Sequence, residues 1–394
     1  MTIALVLPKP PAYSETFFRS KIKGLQDSGH KVVLVTATTG FEFEECEHLQ
    51  HPEISKDVFV QVLRMVLVFA SLIPYLGRVK SYLTLEKEEG TSFKRSLEKL
   101  YINATLIKLN SDWIHFGFAT MAIDRELVGK VIGAKLAVSF RGYDIGVYPL
   151  KHPGCYHKLW SYVDQVHYIS DDLYEKALNL GLSAATTGKK ITPAINTDYF
   201  KPSTLELKGV AGNFTFLTLG RLHWKKGFVD TLKALKLLKL QGINFMYNIV
   251  GEGPDYERIA FAAYQLGMAD QVRFLGKLDH KDVKEQLDKA DIYLQYSIQE
   301  GFCNAVLEAQ ALGKLCLVSD AEGLSENVLN GKTGWVVPRL QPELLAQKIL
   351  EVINLPDFDR NRICQNAIER VQDEFNIEKQ RKEFNQFYSH SHAV

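Results

Sequence analysis

The stretch Asp291–Asp320 reads DIYLQYSIQEGFCNAVLEAQALGKLCLVSD. Its opening, DIYLQYS, is a short run with apolar side chains on both faces, as a strand buried between two layers requires. IQEGF has the composition of a loop. NAVLEAQALG carries helical spacing and ends at Gly313, a residue suited to the left-handed position just past a helix C-terminus. KLCLVSD is a second buried strand. Two such strands joined by a helix form a parallel pair, because a tight turn cannot return the chain in the same direction. The unit therefore predicts an α/β protein built on parallel sheets. It also predicts a site. Asn304 suits the N-cap, so the amides of Gly301, Phe302, Cys303, Asn304 and Ala305 and the dipole of the helix would attract an anion such as phosphate. Glu308 lies one turn into that helix, and its side chain leans back toward the N-terminus. Glu300 lies on the loop outside it. Phosphate repels both carboxylates, so they suit hydroxyl groups. Phosphate between two hydroxyl-reading acids describes a nucleotide sugar.

The same alternation extends outward through the chain. IALVLP, KVVLVTA, DWIHFG, KLAVSFR and QVHYIS read as strands in the first half. FTFLTLG, FMYNIVG, VRFLGK, DIYLQYS, KLCLVSD and GWVVP read as strands in the second. Eleven strands are too many for one ordinary sheet, so two doubly wound sheets of about six are expected. The break should fall in the polar, Pro- and Gly-bearing segment Asn196–Phe214. This gives a first domain over residues 1–200 and a second over 201–374. A final helix at about 375–390, with Phe375, Ile377, Phe384 and Phe387 at helical spacing, returns to the first domain. Ligands of such sheets bind beyond the carboxyl ends of the strands, which for two domains means the cleft between them.

A second segment, Phe216–Leu235, reads FLTLGRLHWKKGFVDTLKAL. A strand ends at Gly220, where the missing side chain lets a ligand approach the backbone. Arg221, Lys225 and Lys226 follow, and Gly227 opens a helix. Cations at a strand end are placed to neutralise a departing diphosphate.

Bulk properties narrow the class. The 394 residues carry 47 Lys+Arg and 46 Asp+Glu, a net charge of +1 that gives no reason to expect nucleic acid. Five cysteines, Cys46, Cys155, Cys303, Cys316 and Cys364, include no C-x-x-C pair. They suit free thiols in a cytoplasmic setting better than a disulfide framework or a zinc site. The N-terminal apolar run has no basic region before it and reads as a strand, not a signal peptide. VFVQVLRMVLVFASLIPYLG, Val58–Gly77, falls short of the ~20 clean apolar residues of a spanning helix. It reads as an amphipathic helix, either in a core or on an anionic membrane surface near Arg64, Arg78 and Lys80. The segment after the first strand, LPKPPAYSE, lacks the G-x-G-x-x-G of a dinucleotide-dependent oxidoreductase.

GRLHWKKG, NIVGEGP, VRFLGKL, ADIYLQYSIQEGFCNAVLEAQALG and KTGWVVP, in this order from Phe214 to Pro338, resemble the second domain of retaining glycosyltransferases of family 4, often called glycosyl transferases group 1, with the GT-B fold. The resemblance implies two facing Rossmann-like domains. It implies Arg221 and Lys226 on the donor phosphates, Glu300 on the donor sugar and Glu308 on the ribose, with Gly220, Gly251 and Gly276 on the same donor side. It also implies an enzyme with no cofactor and no metal. PPAYSETFFRS resembles the P-x-S-E-T-F opening of a subgroup common in bacterial exopolysaccharide and lipopolysaccharide synthesis, which places Ser14, Glu15 and Thr16 at the first-domain face. DWIHFGF resembles that subgroup's H-x-H-F-G, reduced to His115. VSFRGYDIG resembles T-F-H-G-x-D, with Arg141 where many members carry His, and Asp144 following. The implied activity is transfer of a hexose from a nucleotide-diphosphate sugar, UDP-sugar before GDP-sugar, to a saccharide or lipid-linked saccharide acceptor, in the cytoplasm or at the inner membrane face. The departure at Arg141 keeps a second reading open: a catalytically inactive sugar-nucleotide-binding protein of the same fold.

Overall fold

The computed structural model describes residues 1–11, 16–37, 43–202 and 213–389. The chain divides into two compact units, Met1–Ile191 with Arg381–Val394, and Thr192–Gln380. The boundaries thus fall at Ile191/Thr192 and Gln380/Arg381, not at 200/201 and 374/375. The first unit ends with its last strand, well ahead of the Pro- and Gly-bearing segment. Much of that segment, residues 203–212, lies outside the described residues.

The first unit holds a seven-stranded parallel sheet. Its strands are β1 (Thr2–Leu7), β2 (Lys31–Thr36), β3 (Glu47–Gln50), β4 (Trp113–Phe116), β5 (Lys135–Phe140), β6 (Gln165–Tyr168) and β7 (Thr187–Lys190), in the order β3-β2-β1-β4-β5-β6-β7. The five apolar runs expected here are β1, β2, β4, β5 and β6. The two edge strands, EHLQ and TGKK, are polar and carry no such signal. Helices α1 (Thr16–Asp27), α2 (Val58–Ala70), α3 (Leu76–Glu88) and α4 (Phe93–Ile107) follow β1 and β3. The core joins Ile3, Leu5, Leu34 and Trp113 of the sheet to Ile22 of α1. Phe384, Phe387 and Tyr388 of the C-terminal helix Ile377–Ser389 complete it.

The second unit holds six parallel strands: β8 (Asn213–Leu219), β9 (Asn244–Val250), β10 (Val272–Phe274), β11 (Ile292–Gln295), β12 (Leu315–Ser319) and β13 (Trp335–Val337), in the order β10-β9-β8-β11-β12-β13. All six match the runs read from sequence, because most of their positions are buried and apolar, although β10 at the sheet edge exposes Arg273. Leu232, Leu235 and Leu238 of the helix Phe228–Leu240 pack on Phe216, Ile249, Leu294 and Leu317.

Both sheets reverse their strand order once. β1 pairs with β2 on one side and β4 on the other, and β8 pairs with β9 and β11. At such a switch point the loops leaving the two central strands diverge and open a crevice at the carboxyl edge. In the second unit those loops are Gly220–Gly227 after β8 and Tyr296–Cys303 after β11. The sheet topology alone therefore brings the two chemistry-bearing segments together.

Candidate active site

The two loops are stitched to each other by main-chain contacts. Ile298 and Gln299 both donate their amides to the carbonyl of Lys225, at 2.6 and 3.2 Å. Gly227 permits this approach. Its φ is +64°, and a Cβ there would lie 2.0 Å from the carbonyl oxygen of Tyr296. Gly251, at φ +137°, plays the same part on the other side of β8, where a Cβ would lie 2.0 Å from the oxygen of Gly220. The amide of Gly251 donates to the carbonyl of Gly276, 2.8 Å away. Further ties fix the loop after β11. Arg339 donates to the Ile298 carbonyl at 3.0 Å, and Tyr296 donates its hydroxyl to Pro338.

This framework seats Lys226 against Glu300 in an ion pair whose side chains are 19% and 18% exposed. Burial lowers the Lys226 pKa, but the Glu300 carboxylate more than offsets it and holds the ammonium well above its ordinary value. Gly220 lies under the Lys226 stem, with a Cβ position 3.2 Å from Cε. Arg221 is exposed and makes no ion pair among the described residues.

The helix begins at Asn304 and runs to Ala311. Its N-cap is Cys303, so Asn304 is the first helical residue and not the cap. The cause lies far off in sequence: the Asn327 amide accepts from Cys303 N at 3.1 Å and donates to Cys303 O at 3.0 Å, which holds Cys303 extended. No side-chain hydrogen bond caps the helix, and its first amides, those of Ala305 and Val306, lie beside the Cys303 sulfur. Burial pushes the Cys303 thiol up to about 11, so it stays protonated and is no nucleophile. Phe302 is buried against Phe375, with ring centroids 5.7 Å apart. Glu308 is half-buried, and burial raises its pKa to about 7. The helix ends at Leu312, with Gly313 at φ +68° beyond it as expected. A cavity of about 300 Å³ abuts Gly227, between Trp224, Asp230 and Arg258. None of Arg221, Lys226, Glu300 and Glu308 lines it.

In the first unit, Ser14 and Glu15 lie outside the described residues. Of Thr16 only the backbone is described, as the first residue of α1. His115 does not face a ligand. It is fully buried in β4 within a chain of hydrogen bonds. The strand register sets Ser139 opposite His167. His167 Nε2 donates to the Ile191 carbonyl at 2.9 Å, so its Nδ1 accepts from the Ser139 hydroxyl at 2.7 Å. Ser139 then accepts from His115 Nε2 at 2.7 Å, which leaves His115 Nδ1 to accept from Tyr388 Oη at 2.6 Å. Burial, with the charge of Lys21 adding, holds the His115 pKa well below its usual value. The Lys21 ammonium is itself buried, 3.3 Å from the ring nitrogens and 4.3 Å from the Phe384 centroid.

Arg141 stacks over Phe17, 3.7 Å from its centroid, and over Phe18 at 4.6 Å. Its Nε and Nη2 are buried and meet no hydrogen-bond acceptor among the described residues. Burial lowers its pKa to about 10, so it remains a cation. Asp144 is not its salt-bridge partner. That carboxylate accepts instead from the backbone amides of Arg141 and Ala119, at 2.9 and 3.0 Å, and fixes the turn after β5. Sequence reasoning missed Asn327, Ser139, His167, Lys21 and Tyr388. Each acts through partners distant in the chain, and no local spacing signals them.

Residues 207–370 match the profile of the family described as glycosyl transferases group 1. WcaL of Salmonella typhimurium, named as a colanic acid biosynthesis glycosyltransferase, is 26% identical over 399 residues, covering 95% of this chain and 96% of its own. The amylovoran biosynthesis glycosyltransferase AmsK of Erwinia amylovora is 24% identical, covering 93% and 94%. Among solved structures, Anabaena HepE in complex with UDP superposes with a TM-score of 0.74 at 17% identity over 99% of each chain, a likeness of fold. Residues 207–370 thus form a glycosyl transferases group 1 domain, and the whole chain, two parallel α/β units with relatives that run nearly its length, has the GT-B fold.

Proposed function

We propose that this chain is a retaining, metal-independent glycosyltransferase. It moves a hexose from a nucleotide-diphosphate sugar, UDP-sugar in preference to GDP-sugar, to a saccharide or lipid-linked saccharide acceptor in cell-surface polysaccharide synthesis. The observation that carries the reading is the Lys226–Glu300 pair at the switch point between β8 and β11, bordered by an uncapped helix N-terminus with Glu308 one turn in. The donor diphosphate competes with Glu300 for the Lys226 ammonium and gains the helix amides and Arg221. Glu300, released from Lys226, accepts hydroxyls of the donor sugar, and Glu308 accepts those of the ribose. The bond from the sugar C1 to the diphosphate oxygen breaks while C1 bonds to the acceptor oxygen on the same face. The acceptor proton passes to the leaving diphosphate, whose growing charge Arg221 and Lys226 neutralise. No protein base is required, which agrees with an Arg at position 141 in place of His. The first unit takes the acceptor in this reading. Relatives named for colanic acid and amylovoran synthesis support the acceptor class, UDP in a structural neighbour supports the donor class, and five free cysteines suit a reducing cytoplasm.

The experiment is a screen of UDP- and GDP-hexoses, with and without oligosaccharide and lipid-linked acceptors, reading nucleoside diphosphate release and the anomeric configuration of the product. Transfer from a UDP-hexose with retained configuration is expected. Donor binding without turnover across the acceptor panel would favour a sugar-nucleotide-binding protein, and an inverted product would overturn the mechanism.

A further inference from the structure

Helix α2 turns most of its apolar surface to solvent, while Met65, Val68 and Phe69 share its half-buried side with its two polar residues. No residue of it is buried. Gln61 and Arg64, its two polar side chains, sit on the half-buried side, where Gln61 Oε1 accepts from the Ser55 amide at 2.8 Å and Arg64 pairs with Glu53 at 2.8 Å. The outward side carries Phe59, Val62, Leu63, Val66 and Leu67, with Phe59 88% exposed, Leu63 61% and Leu67 62%. A helix at a water-facing surface has the opposite arrangement, and a contiguous apolar face of this size marks a docking surface. Asp57 caps the helix through the Val60 amide, so it is a well-formed element and not a frayed one.

The chain beyond α2 continues the surface. α2 and the Ile73–Glu88 segment meet at a bend of 54° at Ser71–Leu72, and Ile73 and Leu76 just beyond it are exposed as well. An open groove of about 650 Å³ follows along α3, with Val79, Leu83 and Phe93 in its wall and Lys80 and Lys87 at its rim. From Val58 to Leu85 the sequence holds Arg64, Arg78 and Lys80 and no Asp or Glu. Arg78 spends its guanidinium on the carbonyls of Ile107 and Leu109 and on Asn110, so it orders the bend and adds charge without reaching outward. Lys80 is exposed.

These observations choose the occupant. A second copy would set the exposed Lys80 and Lys87 against their own counterparts, since a two-fold contact is isologous, and the like charges would oppose it. A bilayer with anionic headgroups accepts both features, taking aliphatic side chains among its acyl chains and cations among its phosphates. Neither α2 nor any other single helix among the described residues is long and apolar enough to cross a membrane. We propose that α2 and the start of α3 dock this chain on the surface of an anionic bilayer, with Phe59, Val62, Leu63, Val66 and Leu67 sinking into the acyl region and Lys80 and Lys87 at headgroup level. The docking does not depend on the glycosyl-transfer reading, and its test uses no substrate.

The test is flotation of the full chain with vesicles of phosphatidylglycerol and phosphatidylethanolamine, against vesicles of phosphatidylcholine alone. Wild type is expected to float with the anionic vesicles and to prefer them over neutral ones. Leu63→Gln with Leu67→Gln is expected to lower the bound-to-free ratio at least about tenfold while circular dichroism and the melting temperature hold, because both side chains already face solvent. Lys80→Glu is expected to reduce the anionic preference. Phe261→Ser, on an exposed apolar residue of the second unit, is the control that leaves flotation unchanged. A fluorescence blue shift of Phe59→Trp on vesicle addition is the independent reading of insertion. The proposal is overturned by absence of flotation, by equal flotation of the double variant, or by a dimer in light scattering that the double variant dissolves.

Discussion

Gly227→Ala is the sharpest probe of how the fold makes this site. Two costs are built into the position. The first is the left-handed backbone, φ +64°, which costs an L-residue about 1–2 kcal/mol. The second is contact: the new Cβ would stand 2.0 Å from the Tyr296 carbonyl oxygen, against an ordinary separation above 3 Å. The two loops must therefore part by more than about 1 Å, and the bonds from Ile298 and Gln299 to the Lys225 carbonyl stretch or break. Each such bond is worth about 0.5–1.5 kcal/mol net. The sum is about 2–5 kcal/mol. Gly242→Ala separates the two costs, since Gly242 has φ +79° with nothing within 4 Å of its Cβ position. That variant should lose only the backbone share and lower Tm by about 2–8 °C for a unit of this length. Gly227→Ala should lose clearly more. Activity should split further. Parting the loops moves Lys226 away from Glu300, and a misplacement near 1 Å commonly costs about 100-fold in rate, whereas Gly242→Ala should keep kcat. The assay is thermal unfolding with kcat and KM for the donor, on both variants side by side. If the two variants match in Tm and in kcat, the close approach of the loops does not position the site, and the reasoning fails.

The remaining predictions bear on the charges themselves. Arg221→Ala and Lys226→Ala should each raise the barrier by about 2–4 kcal/mol, with the protein folded by circular dichroism; near wild-type kcat in both would remove them from the leaving-group site. Turnover should survive excess EDTA, because these two cations supply the charge that a divalent ion would otherwise bring; loss on chelation, restored by Mg²⁺ or Mn²⁺, would contradict it. Donor affinity, read by calorimetry, should rise with pH and level off above about 7, because hydroxyls donate to Glu308 best when it is ionised and burial raises its pKa to about 7. Glu308→Gln should flatten that profile. The stability sign is opposite: a carboxyl raised in the folded state costs stability as pH climbs from its ordinary range through 7, and Glu308→Gln should remove that loss.

The two sheets were legible because a strand covered on both faces can be written only in apolar residues, and eleven of the thirteen strands obey that rule. EHLQ and TGKK escaped it because they have no buried position and so no apolar run, unlike the edge strands β10 and β13, which keep buried apolar residues. The unit boundary at Ile191/Thr192 lies ahead of the polar segment for a related reason. Composition marks where the chain is polar, near Asn196–Phe214, whereas the first unit closes when β7 has paired with β6, and pairing leaves no mark in local composition.

At the site, what was legible is position, which follows from strand, loop and helix in immediate succession: Lys226 and Glu300 on the loops after β8 and β11, and Glu308 one turn into the helix. What could not be read is what depends on partners far along the chain. His115 was singled out because DWIHFGF resembles H-x-H-F-G, yet Tyr388, 273 positions later, and the Ser139–His167 pair take both its ring nitrogens. Asn304 looked like a cap until Asn327 fixed Cys303 instead. Helix α2 is the instructive case of direction. Its amphipathic composition was plain, but periodicity gives only the angle between polar and apolar faces, not which of them meets the protein. Glu53 and Ser55, just ahead of the helix, decide that by holding Arg64 and Gln61 inward, and the aliphatic face is left to the outside. A core helix would have hidden that face, so its exposure is a property the rest of the chain imposes at a cost, and a bilayer surface is the surrounding in which that cost turns into a gain.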